Sequence, residues 1–429
     1  MSAPRPPLDV AIVGAGLAGL IHLHYARLAG LEARVFEAQP AVGGLWRWLP
    51  AWQDIQISPV DWTVGDMPIG GAEQPHILAN IESWAIRFGL ADGLALGCPV
   101  QARHDGSAWV LETPQGPVRA RHLVAATGAH NRPLVPAVAR SAVTLRELHS
   151  SALQAPADLR GQDVLVVGGG ASAFDLIDQA LQQEARRVQW VHRGLKWFLP
   201  TNKPKHIAGS VRGFSRLQMS GLSVDQQNEA MRADMLGRYA KFGIQALQPA
   251  QPFDLRHDQL IPGRPRLLAA FASIERHSGT VAAIEGRAVT LDDGTRLEAD
   301  VLLWGTGYAL DLGWIEVPAL QRLRTVNELV GRCGCLVRSL DALDLYAPGV
   351  GLDGVGATSW AYAHMARTIM SHIRGTAQLD LAPVGHKVNH FDLIRYLAPR
   401  DPGSFAPDWE QQYRRIALET PDDVAYPMP

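Results

Sequence analysis

The sequence predicts an α/β fold with two Rossmann-like dinucleotide-binding units, on the strength of three observations. The apolar run Val10–Val13 leads into Gly14-Ala15-Gly16-Leu17-Ala18-Gly19, a full GxGxxG turn, followed by an apolar helical pattern over Leu20–Leu28. A second glycine run, Gly168-Gly169-Gly170, follows the apolar Val164–Val167 and opens a second helical stretch. The 429 residues exceed one domain of about 150 residues and suggest two or three.

In each turn the glycines let the chain bend tightly from strand into helix. The free N–H groups and the positive dipole end of the helix then suit a pyrophosphate. Gly14, Gly16 and Gly19 are the candidates in the first turn, and Gly168, Gly170 and the small Ser172 in the second. The strand Ala33–Phe36 ends at Glu37, about 20 residues beyond the first glycines, where a carboxylate can accept hydrogen bonds from an adenosine ribose. One such turn means a nucleotide, and two suggest an electron passed between nucleotides.

Charge and cysteine usage narrow the partners. The 40 basic and 42 acidic residues nearly cancel, which gives no electrostatic case for nucleic acid or an anionic membrane surface. Cys98, Cys333 and Cys335 are too few for a disulfide framework, and two close cysteines are too few for a structural zinc site, so no metal is expected. No signal-peptide core and no apolar stretch of about 18 residues is present. A soluble, cytoplasmic protein acting on a small molecule is expected, with a homodimer left open.

After Glu37 comes Gly43-Gly44, then Trp46 and Trp48, in a tryptophan-rich segment that continues through Trp52 and Trp62. The residues VAIVGAGLAGL, the acidic end of the second strand and the run GGLWRW together resemble the FAD site of the class B flavoprotein monooxygenases, the flavin-containing and Baeyer-Villiger group, in its bacterial branch. In that family the Gly-Gly-x-Trp segment lies along the pyrophosphate and ribityl side of FAD, which implies cofactor contacts for Gly44 and Trp46. Asp54–Pro68 resembles the family's loop on the reactive side of the flavin. Where many members carry an active-site asparagine, this sequence has Gln56 and Ser58, the candidate catalytic substitutes, and no asparagine until Asn80. A loop simply fixed by Pro59 and Pro68 is the alternative.

A helix over Ile77–Leu90 and strands Ala108–Glu112 and Val118–Ala120 continue the first unit. Leu123–Gly128, with Asn131-Arg132-Pro133 behind it, resembles the segment where the family's chain leaves the FAD domain, and implies that Thr127 lies near the cofactor. The family's Phe-x-Gly-x-x-x-His fingerprint is matched by Val143–His149 only in its histidine. GGGASAFD resembles the family's NADP-binding GxGxSAxD. The strand Val188–Val191 then runs into His192-Arg193-Gly194-Leu195-Lys196. NAD-specific domains place a carboxylate at this position, whereas a guanidinium grips a 2′-phosphate, so Arg193 favours NADPH.

Between Lys203 and Arg266 the α/β alternation stops. Ser223–Gln226 can form a capping box, and Met231, Met235, Leu236, Tyr239 and Phe242 recur at helical spacing. Strands over Gly279–Ile284, Ala288–Leu291 and Arg296–Glu298 follow, with Asp292-Asp293-Gly294 as a hairpin turn. Val301–Tyr308, VLLWGTGY, resembles the family's second crossing between domains and implies a cofactor role for Thr306. In Leu345–Met370 a glycine-rich turn holding Asp353 and Thr358 precedes a helix over Ala361–Met370. This is where such flavoproteins aim a helix N-terminus at the flavin.

The resemblance implies an NADP domain inserted into an FAD domain. Residues 1–157 and 305–429 would bind FAD, and residues 158–304 would bind NADPH, with a helical insertion at about 203–266. It implies that NADPH reduces FAD, that O₂ adds to give a C4a-(hydro)peroxyflavin, and that a small nucleophile is oxygenated, an amine nitrogen or sulfur ahead of a ketone. Two alternatives share parts of this pattern. A flavin disulfide reductase-like oxidoreductase needs a redox cysteine pair beside the flavin, and Cys333-Gly334-Cys335 lies outside the positions which that class uses. A non-catalytic flavin-binding module has no need for the hydride donor that the second glycine turn and Arg193 imply.

Overall fold

The computed structural model describes residues 6–55, 59–67, 69–201, 216–217, 219–258, 261–342, 344–349, 358–382, 384–421 and 424–429. Its first sheet has nine strands among these residues. Leu8–Val13 lies at its centre, parallel to Ala33–Phe36 on one side and to Val118–Ala125 on the other. Val10, Ala11 and Ile12 are fully buried, as a parallel strand covered on both faces requires. Gln101–His104 and Trp109–Glu112 form an antiparallel meander onto Val118–Ala125. Leu345–Tyr346 returns to pair with the other edge of that strand, so the sheet is closed by chain from far downstream.

The helix Leu17–Leu28 begins three residues before the expected Leu20, directly at the glycine turn, and packs against the helix Thr358–Ile373. The next long helix, Gln74–Arg87, also lies upstream of the expected Ile77–Leu90: Pro75 sits in its first turn, and left-handed Gly89 follows its end. The helices His390–Leu397 and Trp409–Glu419 cover the same core, through Phe391, Ile394, Leu397 and Ala417.

A second, wholly parallel sheet runs in the order Glu275–Ser278, Arg187–His192, Asp163–Val167, Val301–Trp304, Arg146–His149. Its last strand precedes residue 158, where the second unit was expected to begin. The helix Ala171–Gln182 follows the central strand. A smaller sheet pairs Val281–Glu285, Ala288–Leu291 and Arg296–Glu298 with Ala139–Ser141, and the expected hairpin turn lies within it. The helix Val224–Lys241 starts with the anticipated capping box, Ser223 and Gln226 satisfying each other's backbone N–H groups. Met235 and Tyr239 are buried in the second core, whereas Leu236 is 42% exposed: it lies one residue off the 231/235/239 face.

The chain passes between the two sheets twice, and the two passages run side by side. Arg132–Pro133 pairs antiparallel with Tyr308–Ala309, and the Leu134 N–H donates to the Gly307 carbonyl at 2.9 Å.

Candidate functional site

The first glycine turn is shaped by contacts that no side chain could survive. Gly14 has φ +104°, and a Cβ there would lie 2.6 Å from the Ala126 carbonyl oxygen. A Cβ at Gly19 would lie 1.8 Å from the Gly14 carbonyl oxygen. Gly44, at φ +53°, would bring its Cβ within 2.8 Å of Gly16 Cα, so the Gly43-Gly44 segment lies directly on the turn. Glu37 accepts from the Ala15 N–H at 2.7 Å and from the Gln39 N–H at 2.9 Å, which fixes its carboxylate beside the turn. No side chain caps the helix behind Gly16, so its first N–H groups are left to a ligand.

The second turn follows the same logic with different partners. Gly168 has φ +143°, and its Cβ would meet the Gly305 carbonyl oxygen at 2.2 Å. Gly305 in turn packs on the backbone of Ala173, at 2.6 Å from a would-be Cβ. A Cβ at Gly169 would lie 1.9 Å from the Gly194 carbonyl oxygen, and the Gly169 carbonyl accepts the Lys196 N–H at 3.0 Å. The motif alone does not name these three close approaches, although the middle glycine of the run, Gly194 and Gly305 carry their trace. Gly170 begins an uncapped helix, as Gly16 does.

Both turns open onto one cavity of about 1500 Å³. Gly14, Gly16, Glu37, Gly44, Trp46 and Thr127 line it from the first unit, and Ala171, Ser172 and Asp175 from the second. A pocket for one small ligand holds about 300–1,000 Å³, so this space has room for more than one. Trp46 meets Trp62 edge to face, with ring centroids 5.2 Å apart, and the Gln74 amide donates to the Trp46 carbonyl.

The remaining expected residues are not gathered into the lining. Gly19, Gly168 and Gly170 form the turns from behind. The Thr306 hydroxyl donates to the Leu134 carbonyl and so ties the two passages together. Arg193 is exposed at the end of its strand, and among the described residues no carboxylate pairs with it. Thr358 opens the helix Thr358–Ile373. Gln56, Ser58 and Asp353 lie outside the described residues.

Further polar residues surround the site, among them two ion pairs that were not anticipated. Asp175 lines the cavity yet is ion-paired with Arg264, itself 0% exposed, at 2.8 Å. One turn further, Asp178 meets Arg266 at 2.8 Å. His149, the retained fingerprint histidine, sits against the second passage: Nδ1 accepts the Ser151 N–H at 3.2 Å, which leaves Nε2–H to donate to the Gly307 carbonyl at 2.9 Å. Burial holds its pKa below the usual histidine range. The thiols of Cys333 and Cys335 are free and buried, and burial pushes both up to about 12. Cys335 also donates to Asp380 at 3.0 Å. Such thiols stay protonated at neutral pH, the opposite of what a redox pair requires.

The comparisons agree with this geometry. A family model described as NAD(P)-binding Rossmann-like domain matches residues 12–55, and one described as pyridine nucleotide-disulphide oxidoreductase matches residues 99–229. A Baeyer-Villiger monooxygenase of Streptomyces coelicolor is 25% identical over 73% of this chain and 66% of its own length. A ferredoxin–NADP reductase of Salinispora tropica is 35% identical, over 44% of this chain and 56% of its own length. The chain thus spans roughly half to two thirds of these two relatives. A flavin-containing monooxygenase from Stenotrophomonas maltophilia, 18% identical, superposes over 86% of this chain and 99% of its own with a TM-score of 0.62.

Proposed function

We propose that the chain is a class B flavoprotein monooxygenase that uses FAD and NADPH to oxygenate a small nucleophile, at nitrogen or sulfur ahead of a ketone carbon; the matched family models and the similarity to monooxygenases support this reading. The observation that carries this reading is the single cavity onto which both glycine turns open. Two nucleotides held there would lie close enough to exchange a hydride without diffusing.

The residues fit the two cofactors. At Gly16 and Gly44 the backbone is bare of side chains, and the uncapped helix start leaves N–H donors for the FAD pyrophosphate. Glu37 is held beside them for a ribose hydroxyl. The uncapped start of Ala171–Gln182, with Ser172, would hold the NADPH pyrophosphate, and Arg193 its 2′-phosphate. On this reading residues 1–157 and 305–429 serve FAD and residues 158–304 serve NADPH, with the strand Arg146–His149 lent to the second sheet. Bound FAD supplies hydride acceptance and oxygen activation, so the protein needs no acid–base triad of its own. Its side chains orient the two nucleotides, and the Trp46–Trp62 wall keeps water from the space between them.

The test is FAD-loaded protein given NADPH, isotopically labelled O₂, and a panel of thioethers, tertiary amines and ketones. One labelled oxygen atom should appear in the product per NADPH consumed. NADPH consumption that yields only hydrogen peroxide with every compound would overturn the reading. The buried, protonated Cys333 and Cys335 favour this reading over disulfide reduction.

A further inference from the structure

The cavity is also lined by residues that serve neither glycine turn. Met231, Asp234 and Arg238 come from the helix Val224–Lys241, and Tyr362, Lys387 and His390 from the C-terminal part of the chain. The two groups are joined. The Lys387 N–H donates to the Arg256 carbonyl at 3.1 Å, and the Arg256 guanidinium reaches Asp225, in the first turn of that helix, at 3.0 Å.

The charges on this wall do not cancel within it. Asp234 and Arg238 neutralise each other at 2.8 Å. Lys387 is partly buried, and among the described residues no carboxylate pairs with it. Three positions along the chain, His390 is only 2% exposed, and its buried Nε2 has no hydrogen-bond partner among the described residues. Burial keeps this imidazole neutral, its pKa brought down to about 3, so it presents one N–H donor and one acceptor. A single ligand group reaching both the Lys387 ammonium and the buried His390 Nε2 would give each the partner it lacks among the described residues.

We propose that Lys387 and His390 form a recognition site for a carboxylate carried by the molecule to be oxygenated, so that the substrate is an anionic thioether or amine. The proposal rests on the monooxygenase reading for the word substrate, and on the two side chains for the carboxylate. One ammonium and one neutral ring match a single negative charge. A phosphate dianion is better gripped by a guanidinium fork, and Arg238 is already committed to Asp234.

The experiment is calorimetric titration of the FAD-loaded, NADP⁺-saturated full chain with methylthio-alkanoic acids and with their methyl esters. The acids should bind more tightly than the esters. Lys387→Met should remove about 10- to 100-fold of that preference, the worth of one charge-assisted hydrogen bond, and Lys387→Arg should restore part of it. His390→Leu should weaken acid binding more than His390→Asn, whose amide keeps a donor and an acceptor. FAD absorbance confirms that each variant is folded and loaded. Equal binding of acids and esters, or an unchanged preference in Lys387→Met, overturns the proposal. A loss of NADP⁺ affinity in Lys387→Met with the preference intact assigns Lys387 to the dinucleotide and overturns it too. Lys387-dependent acid binding with no oxygenated product upholds the site and sinks the monooxygenase reading. Oxygenation of neutral thioethers with no advantage to the acids does the reverse.

Discussion

Arg193 stands at the end of the strand Arg187–His192, exposed and unclaimed by any described carboxylate, so its guanidinium is available to an incoming phosphate. Arg193→Ala is expected to raise the KM for NADPH by about 10- to 100-fold and to leave that for NADH nearly unchanged, since only NADPH carries the 2′-phosphate. Steady-state kinetics with the two nucleotides checks this, and an equal change in both removes the assignment. The place of Arg193 was legible because it is defined locally, by the end of a strand after a glycine turn. Gly169 was not, because what constrains it is the Gly194 carbonyl, 25 positions along the chain, 1.9 Å from where a Cβ would sit. Lys387 and His390 were equally hidden. They lie in a stretch with no motif, and only the fold brings them to the cavity.

Among the elements, the helix Ala171–Gln182 shows how a motif residue acquires a second duty. Its glycine-turn end faces the cavity, while Asp175 and Asp178 fasten it to the segment around Arg264 and Arg266. Removing one charge of a buried ion pair costs about 3–5 kcal/mol. Asp175→Asn is therefore expected to lose about that much stability in urea unfolding, and Asp178→Asn clearly less, because Arg266 is half exposed and can turn to water. Equal losses would show that the depth of the pair does not set the cost. The start of the helix was readable from the glycines before it. Its clamp was not: Arg264 sits in a Pro-Gly-Arg-Pro run that reads as a turn, with nothing to signal a buried guanidinium.

Across the whole molecule, three buried histidines set how stability responds to acid. Burial brings the pKa of His22 down to about 4, and those of His364 and His390 down to about 3, from 6.5. The unfolded chain takes up these protons near pH 6.5 and the folded chain does not. Their contribution is thus intact above pH 6.5 and falls as the pH drops toward 4, each site adding up to about 1.4 kcal/mol per pH unit. His364 stacks on Phe405 at 5.4 Å and is fully enclosed. His364→Phe should flatten the stability profile between pH 6 and pH 4 by about that slope in denaturant titrations, whatever it does to stability at pH 7. An unchanged slope would mean that His364 is not held neutral.

The two passages between the sheets have a mechanical consequence. Separate tethers would let two bodies both swing and twist. Here Arg132–Pro133 and Tyr308–Ala309 are laced into one ribbon by strand pairing, by the Leu134–Gly307 hydrogen bond and by the Thr306 hydroxyl. Twisting one body against the other would shear those bonds, whereas bending the ribbon leaves them intact. The crossings thus act as one stiff splice between the sheets, not as two loose tethers.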